Sequence, residues 1–79
     1  MQEEQFNLLP LNEKVAYTDL NGIYQTYRTL GDFVVKLYQI NDFYVEIYFN
    51  NRIKKVGWVQ SFKSDRYLEP YFELAISGK

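Results

Sequence analysis

Polar breaks divide the middle of this chain into four apolar stretches of similar length. Gly31-Asp32, Asn41-Asp42 and Asn50-Asn51 interrupt a text of β-branched and aromatic residues that runs from Ile23 to Phe62. Such breaks predict strands over residues 23–29, 33–39, 43–49 and 53–62. Connections this short join only antiparallel neighbours, so the expected topology is a meander. A helical reading of residues 23–37 also exists, because Ile23, Tyr27, Leu30, Val34 and Leu37 fall on one helical stripe. It is set aside because Gly31-Asp32 would sit mid-helix among β-branched residues.

Alternation along the strands suggests a register. Phe43, Val45, Ile47 and Phe49 alternate with Tyr44, Glu46 and Tyr48, and Phe33, Val35 and Leu37 alternate with Val34, Lys36 and Tyr38. A three-residue loop Ile40-Asn41-Asp42 puts both apolar sets on one side and sets Lys36 across from Glu46. A two-residue loop would place Lys36 among apolar residues, so the longer loop is expected. A type I′ turn at Asn50-Asn51 then pairs Val45 with Val56, Phe43 with Trp58 and Glu46 with Lys55. The expected result is a Lys36–Glu46–Lys55 ladder on an outer face, each cross-strand pair contributing about 0.2–1 kcal/mol.

The flanks read differently. Asn12 is a candidate cap for a short helix, although Lys14–Thr18 would also serve as a strand, and Asp19-Leu20-Asn21-Gly22 reads as a turn. Residues 1–10 can be a flexible segment ended by Pro10 or, with Phe6, Leu8, Leu9 and Val15, a cover for the outer face. Tyr67 to Ile76 reads as a helix with Leu68, Phe72, Ala75 and Ile76 on one stripe, entered near Pro70 and ended by Ser77-Gly78. The fold class expected is α+β: a four-stranded antiparallel meander, a C-terminal helix on one face, and a short N-terminal helix or extended segment. The core predicted for it is Phe33, Val35, Leu37, Phe43, Val45, Ile47, Phe49, Val56, Trp58, Leu68, Phe72 and Ile76.

Composition narrows the chemistry. With 79 residues the chain supports one domain, and with no Cys and no His it offers no thiolate or imidazole for zinc binding or nucleophilic catalysis. No metal site, cofactor or small-molecule substrate is expected. A net charge of −1 is a poor footprint for nucleic acid, and the local basic pairs, Lys54-Lys55 and Lys63 with Arg66, read as solvated rims. No membrane span is expected, and Met1–Gln5 has no basic start or apolar stretch, which suggests a cytoplasmic location. Asp32 and Asp42 read as turn residues, and Glu69 and Glu73 as a solvated helix face. Glu46 between two Lys reads as a structural rung rather than a general acid, so no catalytic residue is assigned and no enzyme is expected.

Aromatic residues make up 19% of the chain, and the register places many of them on the outer face. Val34, Lys36, Tyr38, Tyr44, Glu46, Tyr48 and Lys55 form the candidate binding face, with Tyr24 or Tyr27 beside them. Tyrosines favour contact surfaces because they cover area with little loss of entropy. The expected function is a protein-interaction module whose partner is another protein or a second copy. Buried tyrosine hydroxyls would need partners, for which Arg28 or Gln25 are available.

Four strings, Tyr27-Arg-Thr, Val35-Lys-Leu-Tyr38, Phe43-Tyr-Val-Glu-Ile-Tyr48 and Leu68-Glu-Pro-Tyr71, carry a resemblance over residues 23–73. This stretch resembles short bacterial proteins of helix, four-stranded meander and helix type. The resemblance implies a similar fold and transfers no functional residue.

Overall fold

The computed structural model describes residues 1–63, 68, 70 and 71. Their order is α1 (Glu3–Asn7), α2 (Leu11–Asn21), β1 (Ile23–Leu30), β2 (Phe33–Ile40), β3 (Phe43–Asn50) and β4 (Lys55–Phe62). The strands form one antiparallel sheet in the order β1-β2-β3-β4, the expected meander. The expected C-terminal helix lies outside the described residues, apart from positions along its entry.

The N-terminal part is more helical than its sequence suggests. Glu3 and Glu4 lie in the first turn of α1, where acidic groups suit the helix dipole, and Gln2 N–H donates to Gln5 Oε1 at 2.9 Å. Pro10, not Asn12, occupies the N-cap position of α2, its carbonyl accepting from the Glu13 and Lys14 amides. Proline there forfeits no helical hydrogen bond. The expected turn at Asp19–Gly22 is instead the last turn of α2, closed by Gly22 N–H donating to Thr18 O at 2.8 Å. A Cβ at Gly22 would lie 2.6 Å from that carbonyl, so close approach demands glycine here.

Two expected registers are overturned. β2 and β3 are joined by the two residues Asn41-Asp42, so Ile40 faces Phe43, Leu37 faces Glu46 and Lys36 faces Ile47. Asn41 takes the positive φ of 52° that this tight connection requires, a conformation Asn tolerates. The β3–β4 connection is a four-residue loop, not a type I′ turn at Asn50-Asn51. Asn50 Oδ1 accepts from the amides of Arg52 and Ile53, its carbonyl accepts from Lys54 N–H, and Lys54 has φ 60°. Asn50 thus caps its own loop, which moves the register by several residues. Val45 faces Ser61, Glu46 faces Gln60, Tyr48 faces Trp58 and Asn50 faces Lys55.

These shifts sort the side chains onto two sides. One side carries Ile40, Phe43, Val45, Ile47 and Val59 and is covered by Phe6, Leu9, Val15 and Tyr17 of the N-terminal segment. The opposite side carries Leu37, Tyr44 and Phe62 packed with Leu68 and Tyr71. The expected arrangement is therefore inverted: the odd-numbered residues of β3 lie under the N-terminal helices, and Tyr44 lies with the C-terminal residues. Val35 and Leu37 are buried as expected but on the other side from Phe43, while Trp58 is 58% exposed rather than core. Phe72 and Ile76 lie outside the described residues.

Candidate functional site

On the side of the sheet away from α1 and α2, a carboxylate is buried at the centre of β3. Glu46 is 3% exposed, because Leu37 and Gln60 flank it on the neighbouring strands and Tyr71 closes over it. A buried charge is tolerated only when it is paired and hydrogen-bonded. Tyr71 Oη donates to Glu46 Oε2 at 2.5 Å, and Arg28 Nη2 reaches the same oxygen at 3.4 Å. Tyr48 Oη donates to Oε1 at 3.3 Å and Gln60 Nε2 approaches it at 3.5 Å. The Tyr71 bond dominates, since the others are long.

Arg28 is held in the same cluster from β1, where it faces Val35. Its Cζ lies 5.5 Å from the Tyr71 ring centroid and 6.0 Å from that of Tyr48, within cation–π range. Nη2 also donates to Tyr48 Oη at 3.3 Å, so Arg28 does partner a tyrosine hydroxyl as its sequence position allows. Nε is buried and, among the described residues, has no hydrogen-bond partner. Burial pulls the guanidinium pKa down, but a hydrogen bond between Arg28 and the Tyr71 side chain and the charge of Glu46 outweigh it and leave it raised. Burial, reinforced by the adjacent carboxylate, pushes both phenols up, Tyr71 strongly and Tyr48 less. Both stay protonated donors near neutrality. With its two oxygens engaged by four side chains, Glu46 is set up to hold the strands and the C-terminal residues together.

The helix side is open where α1 and α2 stop short. Val15 and Asp19 of α2 form one wall of a groove of about 390 Å³, and Val34, Lys36, Tyr38, Ile47, Phe49 and Val56 line the rest. The floor is apolar because Val34 faces Phe49 and Phe49 faces Val56 across adjacent strands. Lys36 emerges from this floor exposed, flanked by Tyr27 and Ile47. Tyr24 packs edge-on against Tyr38 with ring centroids 5.6 Å apart. Burial and the nearby Asp19 raise the Tyr38 phenol pKa.

The seven residues of the expected binding face are thus divided between the two sides. Val34, Lys36 and Tyr38 line the groove, whereas Tyr44, Glu46 and Tyr48 lie on the far side with Lys55, which is exposed opposite Asn50. The Lys36–Glu46–Lys55 ladder does not form. Gln60 carries no signal in the sequence and Tyr71 figures there only within Leu68-Glu-Pro-Tyr71; the one pointer to their role is a carboxylate in mid-strand that has to be satisfied. Among the described residues, no three acidic side chains converge as a metal site would require, and no helix is long and apolar enough to cross a membrane. Comparison with protein-family models, curated proteins and solved structures gives no match to this chain.

Proposed function

We propose that this chain is a small non-enzymatic interaction module that receives another polypeptide on the helix side of its sheet. The carrying observation is the groove left uncovered beyond α2, with an apolar floor of Val34, Phe49 and Val56 and a single ammonium at Lys36. Exposed Tyr27 extends that surface toward the β1 edge. An apolar floor with a few charges and tyrosines at its rim is the usual composition of a contact surface. The polar groups lining the groove are Lys36, Asp19 and the Tyr38 phenol, whose raised pKa keeps it protonated near neutrality, and the far-side carboxylate has its oxygens occupied. Both features favour binding over catalysis.

The reading is tested by affinity capture with the full chain as bait, wild type beside Lys36→Glu and Tyr27→Ala. The expected result is a polypeptide, foreign or an untagged second copy, retained by wild type and reduced at least about tenfold by either variant, roughly 1.4 kcal/mol of binding. Melting temperatures should stay unchanged, because both side chains are exposed. Identical retention by all three baits would remove this surface from consideration.

A further inference from the structure

The two edges of the sheet are protected unequally. Along β4, Lys55 stands at the start and Lys63 follows the end, and the register breaks at Gly57. There α1 also binds the strand: the Ser61 hydroxyl donates to Glu3 Oε2 at 2.6 Å and lies 2.8 Å from Asn7 Oδ1. Lysines, bulges and a covering helix are the devices that stop a sheet edge from recruiting another strand.

β1 has little of this. A bulge at Gln25 blunts its first residues, but Thr26–Leu30 then pairs in unbroken register with β2, and among the described residues no strand lies beyond it. Its one charge, Arg28, is turned to the far side and tied to Glu46, so no free charge stands along this edge. Ile23, Tyr24, Tyr27 and Leu30 each keep half or more of their surface exposed. A sheet edge that meets no strand among the described residues and carries no free charge of its own is a template for strand addition.

We propose that β1 pairs antiparallel with β1 of a second copy across a two-fold axis, joining two four-stranded sheets into one. This rests on the interaction-module reading and names the partner for the β1 edge that borders the groove. A second copy fits because an antiparallel strand pair about a two-fold axis is self-complementary: each outward N–H of one copy donates to a C=O of the other, and the axis generates the reciprocal bond. No like charges meet in the seam, and a net charge of −1 per copy repels little. The axis runs perpendicular to the sheet, so both helix-side grooves lie on one side of the joined sheet. A stable dimer needs on the order of 800 Å² from each copy, and a single strand seam supplies less. The dimer is therefore concentration-dependent.

Sedimentation of the full chain across a dilution series tests this. The expected mass rises from 9.5 kDa toward twice that value with concentration. Thr29→Lys, at an exposed β1 position, should hold the chain at monomer mass with an unchanged melting temperature, because it places like charges across the seam. The chain has no Cys, so single cysteines can carry pyrene. Thr29→Cys should show excimer emission that fades on dilution, and Asn12→Cys on α2 should show none. A wild-type chain of monomer mass throughout overturns self-pairing, and the capture experiment then shows separately whether the groove serves a foreign chain. A dimer that survives Thr29→Lys, or excimer at Asn12→Cys alone, overturns the β1 seam.

Discussion

The two sides of this sheet are buried by different chemistry. The helix side is closed by apolar contact, with Phe6 against Phe43 at 5.6 Å between ring centroids and Val45 and Ile40 beneath them. The far side is closed around a carboxylate, with Arg28, Tyr48, Gln60 and Tyr71 converging on Glu46. The first cover is adaptable, because dispersion and burial carry little directional demand. The second is specific, because a buried charge excludes any arrangement that leaves it unpaired. A sheet covered both ways has an anchor for register on one side and the bulk of its hydrophobic stabilisation on the other.

The largest expected break is on the helix side. Phe43 is completely buried, and Phe43→Ala should cost about 3–5 kcal/mol in urea unfolding, enough to unfold much of a chain this small. On the far side, Glu46→Leu leaves Arg28 without its carboxylate and should cost about 2 kcal/mol, less than a fully buried pair because the Arg28 side chain is 18% exposed. Adding Arg28→Met should recover much of that loss. A double variant no more stable than Glu46→Leu would show that Arg28 contributes by stacking on Tyr48 and Tyr71 instead.

A smaller effect on the far side is read by pH. The Tyr71 and Tyr48 phenols are raised above their ordinary value of 10.0, so the folded state holds those protons more tightly than the unfolded chain. Their contribution is fully present below pH 10 and is lost as pH rises through the folded-state values. Thermal unfolding should therefore show stability falling in alkali. Tyr71→Phe should cost about 1–2 kcal/mol at neutral pH and flatten the alkaline fall. An alkaline fall of unchanged size in Tyr71→Phe would assign it to other tyrosines.

Some of this organisation is legible in particular residues. The strand bounds follow from Gly31-Asp32 and Asn41-Asp42, because those turn residues tolerate conformations that strand residues avoid. The partnership of Arg28 with a buried phenol follows from the demand that such a hydroxyl be satisfied. Lys36 shows where sequence reasoning stops. A three-residue loop would keep it away from apolar neighbours, yet it stands among Tyr27, Val34 and Ile47 at no great cost because the helices leave that end of the sheet open to water. The β3–β4 register escaped for a different reason: Asn50 uses its side chain to cap a four-residue loop, an alternative to the tight turn that the same Asn-Asn pair allows.

The sequence alone determines the meander, since alternating β-branched and aromatic runs with short polar breaks have few other folds available. Which side of each strand faces which cover is decided only in three dimensions. Both alternating sets of β2, Phe33-Val35-Leu37 and Val34-Tyr38-Ile40, are apolar enough to be buried, and a one-residue change in a turn exchanges them. That choice is settled by groups distant along the chain: Phe6 filling the helix side, and Tyr71 and Arg28 arriving to satisfy Glu46.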